Sequence, residues 1–148
     1  MEISTTEIEI EFLKKDQIDL IKPVNRFIFN EERIINTTSH SDLIVLRACI
    51  KDITIGFKVG YGKRNGIFYS AKGGVLPNYR RMGLAKKMLD EMMDASRLLG
   101  YTDFQYDTFP NMNKGMLIMG LNNGFSVIEA KYNAQYKDFQ ITLSKKMG

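Results

Sequence analysis

The sequence predicts a single mixed α/β domain of seven strands and four helices, in the order β, α, α, β, β, β, α, β, α, β, β. Three observations predict it. Apolar residues recur at strand spacing in several short segments and at helical spacing in one long one. Glycine, proline and polar clusters punctuate these segments. No linker, repeat or compositional break divides the 148 residues, the length of one domain.

Ile8, Ile10 and Phe12 alternate with Glu7, Glu9 and Glu11, the period of a half-buried strand. Asp16 is placed to cap a helical stretch through Ile18, Leu20 and Ile21. Pro23 separates it from a second helical stretch, Asn25 to Ile35. The polar residues 36–42 read as a loop. Strands follow over Leu43 to Ile50 and Ile53 to Tyr61, joined at Lys51-Asp52, and the turn signal Gly62 to Gly66 leads to a third, Ile67 to Leu76. Gly73-Gly74 marks a bulge or a close backbone approach in that strand. Arg81 to Leu99 is the clearest helix, with Leu84, Ala85, Met88, Leu89, Met92, Ser96 and Leu99 as its apolar stripe and Gly100 as its stop. A strand over Asp103 to Thr108, a short helix over Asn113 to Asn122, and a hairpin of Phe125 to Tyr132 with Tyr136 to Leu143 complete the chain.

Composition narrows the functional classes. The lone Cys49 lies in an apolar run and reads as a core residue, and no cysteine/histidine cluster suggests a metal. The N-terminus is polar and the apolar runs, such as Leu43 to Leu46, are too short for a bilayer, so a cytoplasmic protein with no membrane partner is expected. The net charge of +4 admits an anionic partner, but the basic pairs are scattered and no basic-aromatic stripe points to nucleic acid.

The informative stretch is Gly73-Gly74-Val75-Leu76-Pro77-Asn78-Tyr79-Arg80-Arg81-Met82-Gly83-Leu84-Ala85, between a strand and the best helix. A helix N-terminus offers unpaired N–H groups and the positive end of the macrodipole, together a phosphate site. Gly83 and Ala85 keep the backbone accessible, and Arg80 and Arg81 add charge. Read without its context, the same pair of arginines is surface charge and Gly83 a turn residue.

Arg80-Arg81-Met82-Gly83-Leu84-Ala85 resembles the Arg/Gln-x-x-Gly-x-Gly/Ala pyrophosphate loop of the GNAT superfamily of N-acetyltransferases. Asn113-x-x-Met116 with Gly124-Phe125 is similar to that family's second CoA-contacting helix and the Gly-Phe after it, and the element order agrees over nearly the whole chain. The resemblance implies a central, mostly antiparallel twisted sheet of about seven strands flanked by about four helices. It implies acetyl-CoA as acyl donor, held by the backbone of Gly73, Gly74 and Val75, by the loop Arg80, Arg81, Met82, Gly83, Leu84 and Ala85, and by Asn113. It further implies direct attack by a primary amine (small molecule, peptide N-terminus or lysine) in a ternary complex. The family's usual tyrosine acid falls here on Gly120, so no acid comes from that position; Tyr106, Tyr132 and Tyr136 are the substitutes to place. No catalytic residue is identifiable. Glu31, Glu32 and Asp107 read as solvated carboxylates or as an anionic lip for a cationic amine, and His40 as a surface residue. The missing acid and base motivate an alternative, a non-catalytic acyl-CoA-binding module. Exposed hairpin edges permit a homodimer.

Overall fold

The computed structural model describes residues 7–148. Its strands are β1 (Glu9–Leu13), β2 (Ile44–Ile50), β3 (Ile53–Gly62), β4 (Ile67–Val75), β5 (Asp103–Thr108), β6 (Ser126–Asn133) and β7 (Asp138–Lys146). Its α-helices are α1 (Lys22–Phe29), α2 (Leu84–Leu98) and α3 (Lys114–Asn122). The strands form one sheet in the order β1-β2-β3-β4-β5-β7-β6. Every neighbouring pair is antiparallel except β4 with β5, which α2 connects by a crossover.

Three α-helices stand where about four were expected, and the difference lies before β2. Ile18, Leu20 and Ile21 belong to a 3-10 helix, Lys15–Ile21, that runs straight into α1. Pro23 does not separate the two: it sits in the first turn of α1, where its missing N–H would have had no helical partner. Asp16 lies in the first turn rather than at the cap, which is Lys14, whose N–H bonds the Gln17 side chain at 2.8 Å. Helix α1 ends at Asn30, left-handed at φ 55, so residues 31–35 are not helical. The buried Asn25 side chain holds that segment by donating to the Glu31 carbonyl at 2.9 Å.

The sheet separates two apolar layers. Ile21, Val24, Ile34, Val45, Phe57 and Val59 fill the α1 side. Leu46, Phe68, Met88, Leu89, Met92, Phe104 and Leu143 fill the side covered by α2 and α3. Burying one such phenylalanine contributes about 2 kcal/mol or more. Cys49 is buried in β2, and burial pushes its thiol above the usual range, as befits a core residue. Arg47, also buried, is compensated: it pairs with Glu11 across the β1–β2 register and donates to Thr54 Oγ1 at 3.1 Å and the Asp52 carbonyl at 3.3 Å.

Two further expectations shift. Helix α2 begins at Leu84, not Arg81, because Arg81 (φ 68) and Gly83 (φ 76) are left-handed. Ala85 and Leu99 are exposed and leave the stripe to Leu84, Met88, Leu89, Met92 and Ser96. The bulge in β4 falls at Ala71 rather than Gly73-Gly74: Val59 pairs with Lys72 but Gly60 with Ser70, leaving Ala71 the extra residue.

Candidate active site

The bulge coincides with a parting of the sheet. Strands β4 and β5 pair only over Ile67–Ser70 and Asp103–Tyr106. Beyond that point β4 continues to Val75 bonded to β3 alone, and β5 continues through Asp107 and Thr108 bonded to β7 alone. The facing edges therefore enclose a V-shaped opening whose backbone groups have no strand partner.

Gly73 and Gly74 lie on this open edge, with opposite surroundings. A Cβ on Gly74 would stand 2.8 Å from Ile28 Cδ1, so glycine lets α1 pack against β4. A Cβ on Gly73 would point to the other face, 3.4 Å from Lys58 Cγ. Val75 closes the strand, and its carbonyl accepts from Arg80 Nε at 2.9 Å. That bond ties the loop Arg80 to Ala85 to the end of the open edge.

The loop turns through left-handed Arg81 and Gly83, with half-buried Met82 between them. The first helical hydrogen bond of α2 runs from Lys87 N to Gly83 O at 3.0 Å. The N–H groups of Leu84, Ala85 and Lys86 precede it, and no side chain caps them. No acidic residue lies in the first turn, and Arg80, Arg81, Lys86 and Lys87 surround it. A Gly83 Cβ would meet nothing within 4 Å. Open backbone donors, a helix dipole and the side chains of Arg80, Arg81 and Lys87 are of the kind that could hold a pyrophosphate, while Lys86 is paired with Asp90 at 2.6 Å.

Asn113 faces solvent and caps α3: its Oδ1 accepts from Gly115 N at 2.9 Å. Asn113→Ala is expected to lower stability by about 1 kcal/mol, read from the midpoint of urea unfolding. Gly120 is buried, and its role is packing. A Cβ there would stand 2.2 Å from the Tyr106 hydroxyl. That hydroxyl donates to the Met116 carbonyl at 2.7 Å, and burial pushes its pKa up to about 12. Tyr106 thus occupies, from the strand side, the space that a side chain on α3 would take. Tyr132 and Tyr136 are exposed on the hairpin, packed on Phe139 and Phe109.

On the α1 side of the opening, Tyr69 donates to Asp107 Oδ2 at 2.6 Å and Thr142 donates to Asp107 Oδ1. Burial, then the hydrogen bond to Asp107, drives the Tyr69 hydroxyl far above its usual range, so it stays a donor. Tyr61 packs edge-on against Tyr69 with centroids 5.7 Å apart, and His40 stacks on Tyr61 at 3.5 Å. Asp107 is therefore a half-buried, oriented carboxylate, not a solvated one. Glu31 and Glu32 do not join it in an anionic lip: Lys72 neutralises Glu31 at 2.6 Å and Arg26 neutralises Glu32 at 2.6 Å. An open groove runs between the 31–36 segment and the β6–β7 turn, lined by Glu31, Arg33, Asn36, Gln135 and Tyr136.

Tyr69 and Thr142 had no signal in the sequence; only the β4–β5–β7 register brings them to Asp107. Among the described residues, no group of three His, Cys, Asp or Glu side chains could hold a metal, and no helix is long and apolar enough to cross a membrane.

No family model and no curated protein sequence matches the chain. Solved structures do. The ribosomal-protein-S18-alanine N-acetyltransferase from Escherichia coli superposes with a TM-score of 0.81 at 11% identity, covering 95% of this chain and 94% of that one. An IAA acetyltransferase from Bacillus cereus gives 0.80 at 18% identity, over 95% and 99% of the two chains. A GNAT family acetyltransferase from Elizabethkingia anophelis with acetyl-CoA bound gives 0.76 at 15% identity, over 95% and 99%. Over nearly its whole length, the chain has the fold of the GNAT acetyltransferases.

Proposed function

We propose that this protein is a cytoplasmic, acetyl-CoA-dependent N-acyltransferase that moves an acetyl group to a primary amine by direct attack in a ternary complex. One observation carries the reading: the opening between β4 and β5 has an anion cradle at one mouth and an oriented carboxylate at the other. The bound acetyl-CoA that one structural neighbour carries supports it.

In this reading the N–H groups at the start of α2, with Arg80 and Arg81, hold the pyrophosphate. The backbone of Gly73, Gly74 and Val75, where it faces the opening and is not already taken by β3 or, at the Val75 carbonyl, by Arg80, bonds the pantetheine arm, and Asn113 flanks it from α3. The thioester supplies an activated acyl carbon. The amine arrives from the α1 side along the groove beside Tyr136. An amine of lysine type has a pKa near ~10.4 and arrives protonated. Asp107, held by Tyr69 and Thr142, anchors that ammonium and accepts its proton.

Release of free CoA, followed with acetyl-CoA and a panel of small amines, peptides and lysine-bearing substrates, tests the reading. Asp107→Asn is expected to lower kcat at least about tenfold while acetyl-CoA affinity stays unchanged, since one general-base contribution is typically 10²–10⁴-fold. A second reading, a non-catalytic acyl-CoA-binding module, is favoured by Gly120 and by the engagement of the Tyr106 hydroxyl with Met116. Tight acetyl-CoA binding with no CoA release across the panel would decide for it.

A further inference from the structure

Lys58 has a buried side chain and no paired carboxylate, and its Nζ is not among the sealed polar atoms without a partner, so the ammonium keeps contact with solvent. It is 6% exposed, and among the described residues it has neither a hydrogen-bond acceptor nor a carboxylate within 4.0 Å. Arg47, the other basic residue with a buried side chain, has Glu11, Thr54 and the Asp52 carbonyl. Desolvation of the side chain depresses the ammonium pKa to about 8.

The position of Lys58 explains why it is a lysine. Gly56 and Gly60, two residues before and after it, would each direct a Cβ at α2: to Met88 Cε at 3.5 Å and Met92 Sδ at 2.8 Å. Lys58 shares that face. Its register partners are Leu46 on β2 and Gly73 on β4, and neither carries charge. The stem leans over Gly73, its Cγ 3.4 Å from the site of a Gly73 Cβ. Adjacent strands are about 4.8 Å apart, so a four-carbon stem crossing bare Gly73 carries its ammonium toward the open edge of β4. On the far side of the opening, α3 has no hydroxyl, thiol or charged side chain after Lys114, and the Tyr106 hydroxyl is engaged with Met116.

We propose that Lys58 receives the CoA sulfur, its ammonium pairing with and protonating the thiolate as it leaves. The inference rests on the acetyl-CoA reading above. The amine nitrogen bonds to the acyl carbon, the C–S bond breaks with its electron pair going to sulfur, and a proton passes from Lys58 Nζ to sulfur. The ammonium nitrogen loses two protons, one before attack and one after it has bonded to carbon; each passes to Asp107 and on to water, and water returns one to Lys58, so one proton is released per turnover. Amide and CoA thiol result, and the enzyme is unchanged.

The test is a pH titration of CoA bound to the protein, following the ultraviolet absorbance of the thiolate, with affinity measured separately by calorimetry. In the parent complex the CoA thiol should ionise about one unit below free CoA, a tenfold shift in its equilibrium. Lys58→Met should bind CoA within about threefold of the parent at low pH, yet return the thiol to its free value; a factor of three is under 1 kcal/mol. In turnover the same variant should lose kcat at constant KM for acetyl-CoA. Lys58→Gln, which keeps a neutral donor, serves if the methionine variant does not fold. Unchanged thiol ionisation in a variant that binds CoA normally would overturn the role of Lys58 alone. Failure of the folded parent to bind CoA would overturn it together with the acetyl-CoA reading, and the calorimetry identifies which has failed.

Discussion

Gly83→Glu is expected to weaken acetyl-CoA binding at least about 100-fold, close to 3 kcal/mol, without unfolding the protein. The two halves of that result have separate causes. A non-glycine residue at φ 76 is strained by about 1 kcal/mol. A carboxylate beside the N-terminus of α2 recovers roughly 0.3–1 kcal/mol from the dipole and the orphan N–H groups. No atom lies within 4 Å of the new Cβ, so no clash adds to the balance. The same carboxylate sits in the cradle and repels the pyrophosphate. Gly83→Ala carries the strain without the charge and should bind only a few-fold more weakly, as a loss under about 1 kcal/mol implies. Calorimetry with acetyl-CoA on both variants separates charge from conformation. Parent-like affinity in the glutamate variant would place the phosphates elsewhere.

Gly120→Ala should destabilise the fold by about 1–3 kcal/mol, although alanine is the better helix former by about 1 kcal/mol. The reason is the 2.2 Å separation between the new Cβ and the Tyr106 hydroxyl, a distance real Cβ atoms do not adopt. Tyr106 cannot swing aside. Its ring packs on Phe125 with centroids 5.2 Å apart, Leu143 Cδ1 would lie 3.3 Å from the same Cβ, and its hydroxyl would leave Met116. Tyr106→Phe removes the clashing oxygen, so the double variant should recover at least about 1 kcal/mol relative to additivity. Urea unfolding of the four proteins measures the cycle. Net stabilisation by the alanine would show that Tyr106 has another place to go. Restoring a tyrosine at position 120 is blocked by the same oxygen, so a helix-borne hydroxyl cannot be regained by a single substitution.

What could be read from sequence, and what could not, follows from the range of the interactions. Arg81 to Gly100 announced the helix and its loop because the stripe, the glycine and the stop signal lie within a few residues of one another. Even so, two left-handed residues moved the helix start to Leu84. Pro23 misled because proline breaks a helix interior yet is welcome in a first turn, and the boundary of α1 decides which applies. Asp107 was visible only as a carboxylate. Its orientation needs Tyr69 and Thr142, 38 and 35 residues away, and the strand register that joins them. Lys58 was silent for a related reason: a lysine alternating with Phe57 and Val59 reads as the solvent side of a strand, whereas α2 covers that side too.

The extra residue at Ala71 interrupts the alternation of β4: Ser70 and Lys72 stand two apart in sequence yet meet opposite layers, Ser70 across from Gly60 and Lys72 across from Val59. A strand has two faces, and the pairing with β3 on either side of the bulge decides which one each residue meets. With this pairing, bare Gly74 accepts α1, bare Gly73 accepts the Lys58 stem, and Val75 enters the core under α2. Removing Ala71 would leave Ser70 opposite Gly60 and Lys72 opposite Val59, a regular ladder with these assignments intact, and would take away the irregularity at which β4 and β5 part. Deletion of Ala71 therefore separates two things that the strand combines: the faces of Gly73, Gly74 and Val75, which it keeps, and the local bend beside the opening, which it removes.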